Sequence, residues 1–396
     1  MQKKPLSVYV HIPFCVQKCL YCDFLSGKAD EQTKEQYVEA LLREIEKETA
    51  DGAFDGYEVV TVYFGGGTPS TLRAEQIERI LCKLKNSFNF GTQDGKQTGF
   101  SDKSSKAYDS DAKGEAEISM EMNPGTVNAG QLYVLREAGI NRISIGVQSL
   151  QDAELVKLGR IHRAEDFYRV WEEAAMAGFQ NRNVDLMSGI PGQTVTSLED
   201  TIRKLTALKP EHISAYSLIV EEGTPFAGMY PEGAVDEETD RLMYELTGRL
   251  LSEAGYGRYE ISNYARDGFS CRHNMAYWTR QEYIGFGIGA ASLIGHTRYS
   301  ITRSLSEYLK GNFLHENIEH LSVEEQMSET MFLGLRLTQG VSEEQFYQIF
   351  GRDLFSVYGS VIKKHEKEGL LVCENGRIRL TKQGLDVSNY VMADFV

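Results

Sequence analysis

Six short runs rich in β-branched and aromatic residues recur along the first part of the chain. They are 7–12 (SVYVHI), 58–65 (EVVTVYFG), 117–122 (EISMEM), 142–147 (RISIGV), 181–187 (NRNVDLM) and 212–219 (HISAYSLI). Between them, segments near 31–49, 75–88, 127–138, 164–177 and 196–208 carry apolar residues at helical spacing. Strands alternating with helices of this length predict βαβ units and a parallel sheet, hence an α/β fold. Six units suit a partial (β/α)6 barrel, and an open doubly wound sheet shares the same pattern.

Two stretches break the alternation. Residues 91–116 are polar, rich in Gly, Ser, Asp and Lys, and aperiodic, which predicts a flexible surface insertion. From about 320 the pattern becomes helix, helix, helix, hairpin, over 323–337, 341–350, 353–369 and a β-rich pair around Glu374–Asn375–Gly376. That order predicts a smaller winged-helix-like domain. The expected organisation is therefore a barrel over 1–235, an extension over 236–319 and a C-terminal domain over 320–396.

In a barrel of this kind functional residues gather at the carboxyl ends of the strands. Cys15 follows the first predicted strand and Gly65–Gly67 the second. Glu121 and Asn123 end the third, Gln148 ends the fourth, and Asp185 with the turn Gly189–Gly192 closes the fifth. Three of the chain's six cysteines fall within eight residues, at Cys15, Cys19 and Cys22. One short loop can wrap three such thiolates around a single soft metal centre, either zinc or an iron–sulfur cluster. Structural zinc takes four ligands, and the nearest other candidate, His11, sits inside a strand. Three thiolates on a four-iron cluster leave one iron open to a ligand. Cys82 and Cys373 read as small core residues.

The charge narrows the partners. A formal charge of −15 argues against a phosphate-tracking surface, and residues 320–396 carry 11 acidic and 8 basic side chains, net −3. The C-terminal domain is thus expected to pack or dock a protein partner, with no nucleic acid. No apolar run approaches the roughly 20 residues that span a bilayer, and the N-terminus lacks the apolar core of a secretory signal. The expected location is the cytoplasm, where grouped cysteines mean metal more often than disulfides.

A Cys-x3-Cys-x2-Cys loop after a first strand, with Gly65-Gly66-Gly67-Thr68-Pro69 after a second, resembles the radical S-adenosylmethionine superfamily. The stretches His11–Cys15, Tyr21–Phe24, Glu121–Pro124, Gly146–Leu150, Gly159–His162 and Asp185–Thr194 narrow the likeness to its oxygen-independent coproporphyrinogen oxidase-like branch. The resemblance implies a 4Fe–4S cluster on Cys15, Cys19 and Cys22, with S-adenosylmethionine at its open iron. It implies further that Gly66, Gly67 and Thr68 admit the methionine end of that cofactor. Glu121, Gln148 and Asp185 would hold the amino group and ribose hydroxyls, and Arg160 the carboxylate. Tyr9, Tyr21, Tyr216 and Ala291 match the family's remaining cofactor contacts. Read without the family, the glycine turn fits any tight βα turn, and Glu121, Asp185 and Arg160 fit strand caps and a surface charge.

Two features separate members of this branch. Those that decarboxylate coproporphyrinogen carry a further cysteine two residues after the third ligand, and here that residue is Phe24. The segment Cys271-Arg-His273-Asn274-Met-Ala-Tyr277-Trp278 resembles the branch's heme chaperones instead. The resemblance implies that His273 is an axial ligand to heme iron, oriented by Asn274, with Tyr277 and Trp278 against the macrocycle. Cys271 is an alternative ligand. A core histidine and a packing tryptophan are the plainer reading of the same residues. The expected function is heme binding and transfer to an acceptor protein, and the alternative is radical chemistry on a porphyrinogen.

Overall fold

The structure is a computed structural model that describes residues 3–91, 115–230 and 234–396. Residues 92–114, nearly all of the expected insertion, lie outside it. Six parallel strands form the heart of the molecule: β1 (Lys4–Ile12), β2 (Tyr57–Gly66), β3 (Glu117–Met122), β4 (Arg142–Gln148), β5 (Arg182–Ser188) and β6 (His212–Ser217). Each pairs in parallel with the next. Helices α1 (Glu31–Glu48), α2 (Ala74–Ser87), α3 (Ala129–Ala138), α4 (Asp152–Lys157), α5 (Ala164–Met176) and α6 (Val195–Ala207) cross between them. This is the partial (β/α)6 barrel the alternation predicts.

The two faces of each strand do different work, because side chains alternate along it. On β4, Ile143, Ile145 and Val147 are fully buried against the helices. The alternate residues Arg142, Ser144 and Gln148 are buried on the other face, toward the barrel axis. The interior is accordingly polar. Thr61 donates to Ser7 at 2.8 Å, and Ser144 donates to Asp185 at 3.1 Å. A row of hydrogen-bonded polar groups along the axis costs less than unpaired ones would, and it leaves donors and acceptors for a ligand.

Beyond β6 the chain extends the same sheet at both edges. After α7 (Pro225–Met229) and α8 (Glu237–Glu253) come β7 (Gly257–Arg258) and β8 (Asn263–Ala265), and β8 pairs antiparallel with β6. Helix α9 (Arg272–Trp278) leads to β9 (Tyr283–Phe286), which pairs with β1 on its free side. Strands β10 (Ala291–Ile294), β11 (Thr297–Ile301) and β12 (His315–His320) continue outward. Strands β9 and β10 lie at the two ends of the glycine-rich run Gly285–Ser292, which shows no strand pattern in the sequence. Glycine has poor strand propensity, so pairing with β1 rather than local preference makes β9 a strand.

The C-terminal domain has its own core, built on Met331, Leu335, Phe346, Leu354, Ile362 and Ile378. A helix (Val323–Gly334), a short strand (Val341–Ser342), helices Glu343–Phe350 and Leu354–Lys367, and the hairpin Leu371–Glu374 with Arg377–Leu380 follow in winged-helix order. No described helix is long and apolar enough to cross a membrane.

Candidate functional site

The cysteine loop is stitched into place by backbone bonds. Cys15 N–H donates to Gly27 O and Gly27 N–H to Pro13 O, each at 2.9 Å, closing the neck of the loop. Leu20 N–H reaches Leu158 O at 3.1 Å, and Phe226 N–H reaches Leu20 O at 3.1 Å. All three thiols are free and half-buried. Burial pushes the Cys22 thiol up, and the nearby sulfurs of Cys19 and Cys15 add to the shift. Tyr21 lies beside Cys19, Cys22 and Arg160, and burial raises its phenol well above the ordinary range. Phe24, at the position that separates the branches, is exposed.

The glycine turn closes on the start of this loop. Gly67 N–H donates to Ile12 O at 2.9 Å and Thr68 N–H to Phe14 O at 2.8 Å. A Cβ on Gly67 would stand 2.8 Å from Phe14 O, and Gly66 has φ +107 against the His11 imidazole. Both positions therefore demand glycine. His11 is spoken for: one ring nitrogen meets the Tyr9 hydroxyl at 3.1 Å and the other Leu25 O at 2.9 Å.

Asn123 links the turn to the loop. Its amide donates to Thr68 Oγ1 at 2.9 Å and accepts from Arg160 at 2.6 Å. Arg160 also donates to Gly146 O, which leaves its other terminal nitrogen 3.5 Å from Cys19 Sγ. Thr68 Oγ1 lies 3.6 Å from Cys15 Sγ. The sequence reading assigns Asn123 to a strand end only. Its role as the bridge is a tertiary fact with no local signal.

Two carboxylates face the same interior. Glu121 accepts from the Tyr63 hydroxyl at 2.9 Å, and burial together with the nearby Asp185 raises its pKa to about 7. Burial likewise raises Asp185, against hydrogen bonds from Asn183 at 2.7 Å and from Ser144. Gln148 ends β4 at φ +62, a conformation few non-glycine residues adopt, and its amide oxygen accepts from Tyr216 at 3.0 Å. Strain of this kind collects where a side chain must be aimed. Cys15, Cys19, Cys22, Tyr9, Tyr21, Gly66, Gly67, Thr68, Glu121, Gln148, Arg160, Asp185 and Tyr216 thus share one end and interior of the barrel. Ala291 is exposed at the start of β10, two strands out from β1, and its carbonyl packs against Gly285, which pairs with Tyr9.

The α9 segment closes the opposite end. Glu117, the first residue of β3, accepts from the backbone of Arg272 and His273 at 3.2 Å each. His273 is fully buried, with Thr61 Oγ1 at 2.8 Å from one ring nitrogen and the Tyr277 hydroxyl at 3.2 Å from the other. Those two hydroxyls orient the imidazole, not Asn274. Burial and the Arg142 charge lower its pKa to about 3, so the ring is neutral. Its face stacks on Tyr63, with centroids 5.0 Å apart. Tyr63 therefore touches Glu121 at one end and His273 at the other. The Cys271 thiol is buried beside Glu117 and pushed up to about 12, which keeps it protonated.

Known proteins share this architecture. The Radical SAM superfamily profile matches residues 9–205, and the HemN C-terminal domain profile matches residues 321–387. Heme chaperone HemW of Bacillus subtilis (strain 168) is 35% identical over 397 residues, spanning 98% of this chain and 99% of that protein. Heme chaperone HemW of Escherichia coli (strain K12) is 36% identical over 316 residues, 78% of this chain and 77% of that protein. Among solved structures, the radical SAM enzyme coproporphyrinogen III oxidase (HemN) from Escherichia coli superposes with a TM-score of 0.83. It covers 100% of this chain and 91% of its own at 23% identity, a likeness of fold. The chain belongs to the radical SAM superfamily, whose members are expected to carry a 4Fe–4S cluster and S-adenosylmethionine, and within it to the family of HemW heme chaperones.

Proposed function

We propose that this chain works in the cytoplasm as a heme chaperone, binding heme at α9 and passing it to an acceptor protein. The observation that carries the reading is the full-length likeness to HemW proteins, joined to the His273–Trp278 segment on a helix of its own. In this reading Cys15, Cys19 and Cys22 hold a 4Fe–4S cluster, and S-adenosylmethionine occupies its open iron. The donor set fits: three free thiols share one loop, and a guanidinium and a hydroxyl face two of the sulfurs. A reduced cluster held there would supply an electron for cleaving the bound S-adenosylmethionine.

The chain's own residues bind and orient. Gly66 and Gly67 let backbone approach the amino-acid end of the cofactor. Glu121 and Asp185 offer acceptors to its ammonium and ribose hydroxyls, and Gln148 offers its amide. Arg160, anchored by Asn123 and Gly146 O, keeps its remaining terminal nitrogen beside the Cys19 sulfur and would offer a donor to the cofactor carboxylate. On α9 the neutral imidazole of His273 is the form that ligates iron. Its second nitrogen becomes available when the Tyr277 hydroxyl gives way, while the rings of Tyr277 and Trp278 supply apolar surface.

Heme titration of the anaerobically purified protein tests this. The wild type is expected to develop a Soret band that changes in position and intensity in His273→Ala. No band in the wild type, or identical spectra for both proteins, overturns heme binding at α9. Turnover of coproporphyrinogen III to protoporphyrinogen by the same sample overturns the chaperone role.

A further inference from the structure

Strand β2 turns Thr61, Tyr63 and Gly65 toward the barrel axis, because alternate residues of a strand share a face. Tyr63 is absent from the contacts that the family resemblance implies, yet its ring is closely held. It stacks on His273 with centroids 5.0 Å apart and planes at 22°, and lies 6.5 Å from the Tyr9 ring at 20°. Gly65 leaves room for both phenols. A Cβ there would stand 3.0 Å from the Tyr63 ring and 3.1 Å from the Tyr9 ring. At the far end of the side chain the Tyr63 hydroxyl donates to Glu121 Oε1 at 2.9 Å.

His273 is itself fixed from several sides. Thr61 donates its one proton to Ser7 at 2.8 Å, so the Nδ1–H of His273 donates to the Thr61 oxygen, also at 2.8 Å. Nε2 is then the acceptor for the Tyr277 hydroxyl at 3.2 Å. Glu117 accepts from the His273 backbone N–H at 3.2 Å and ties the start of α9 to β3. The imidazole therefore has one orientation, and it presents one face to Tyr63.

We infer that Tyr63 is a positioning residue for the cofactor: its hydroxyl orients the Glu121 carboxylate that receives the ligand ammonium, and the His273 ring holds that hydroxyl in place. The inference rests on S-adenosylmethionine binding at Glu121 and is independent of heme. Glu121 is faced by Tyr9 from β1, Tyr63 and Gly66 N–H from β2, Arg142 from β4 and Asp185 from β5. Burial and Asp185 oppose its charge, whereas the Tyr63 hydrogen bond, Gly66 N–H and Arg142 favour it. Burial keeps the Tyr63 phenol protonated, hence a donor throughout the neutral range. Loss of that donor leaves the carboxyl harder to ionise and its hold on an ammonium weaker. Helix α9 thus acts on the cofactor end of the barrel through one aromatic contact.

Anaerobic calorimetry of S-adenosylmethionine binding to the cluster-loaded protein, at a series of pH values, is the test. Wild-type affinity is expected to rise with pH as Glu121 ionises. Tyr63→Phe keeps the ring and its stacking but lacks the hydroxyl. It is expected to weaken binding at neutral pH by about tenfold and to move the rise about one pH unit upward, the scale of one hydrogen bond to a charged group. His273→Ala is expected to move the rise the same way, and His273→Phe, which keeps a ring face, to stay with the wild type. A Tyr63→Phe profile that coincides with the wild type overturns the inference. Binding weakened equally at every pH also overturns it, since that reduces Tyr63 to packing. A wild-type profile in His273→Ala overturns the support from α9. No binding by the wild type removes the cofactor reading at Glu121 itself.

Discussion

Burial sets Glu121 apart from an ordinary carboxylate. Its carboxyl is raised to about 7, so it gains charge across the neutral range. A ligand ammonium favours the ionised form, so S-adenosylmethionine should bind more tightly at pH 8 than at pH 6. Glu121→Gln should flatten that dependence and weaken binding by about tenfold, the scale of a lost charged hydrogen bond. Anaerobic calorimetry at the two pH values checks both effects, and an unchanged pH profile in the variant contradicts the assignment. Glu44 is the structural counterpart. Buried under the β9–β10 turn, it accepts from Gly287 N–H at 2.8 Å and Tyr308 at 2.6 Å, and burial raises its pKa to about 8. The folded state thus holds a proton that the unfolded chain loses near 4.5. Stability from this group is complete below the unfolded value and is lost as pH rises toward 8, by up to about 1.4 kcal/mol per pH unit. Glu44→Gln should hold the melting temperature flatter between pH 5 and 8 than the wild type does. At this scale the grouping of Cys15, Cys19 and Cys22 on one loop beside the glycine turn was legible, because their spacing lies within a few residues. Asn123 and Tyr63 were not, since their roles depend on partners at Thr68, Arg160, Glu121 and His273 that only the fold assembles.

The turn between β2 and α2 and the helix α9 carry the site's element-level demands. A Cβ on Gly67 would meet Phe14 O at 2.8 Å and Ile12 O at 2.9 Å, and both partners are backbone. Gly67→Ala should push the cysteine loop off the turn, cost about 1–3 kcal/mol, and lower cluster retention, read as iron content and absorbance near 400 nm. Full retention would show that loop and turn are not coupled. On α9, Tyr277→Phe keeps the ring but removes the hydroxyl that competes for the His273 nitrogen. Heme affinity should rise by a few-fold up to about tenfold, and a loss of affinity would mean that the hydroxyl serves the bound state. The six parallel strands were legible as short runs rich in β-branched and aromatic residues, which line their helix-facing side. Strands β9 and β10 were not, since each is only four residues long and Gly285 interrupts the first. Helix α8 did carry its signal, an Asp236 cap accepting from Thr239 ahead of 17 amphipathic residues, although the alternation seen in the barrel ends before it.

On the scale of the whole molecule, the sheet runs past the barrel at both edges, and α9 seals the end opposite the cysteine loop. One polar interior lies between the two ends, with Tyr63 in contact with Glu121 and with His273. The winged-helix-like domain closes over the end of α9 through Arg280, Arg298, Glu329 and Arg336. The order helix, helix, helix, hairpin made that domain legible in the sequence. Its packing on α9 was not, because the contacts join residues some 50 positions apart. The central claim is heme delivery, and the direct measurement mixes heme-loaded protein, freed of unbound heme, with an apo-heme protein and follows the absorbance of each. The account predicts that the acceptor gains its holo spectrum as the donor loses its Soret band, with His273→Ala delivering little. Heme that stays bound without reaching any acceptor, from a protein that instead converts coproporphyrinogen III, would contradict it.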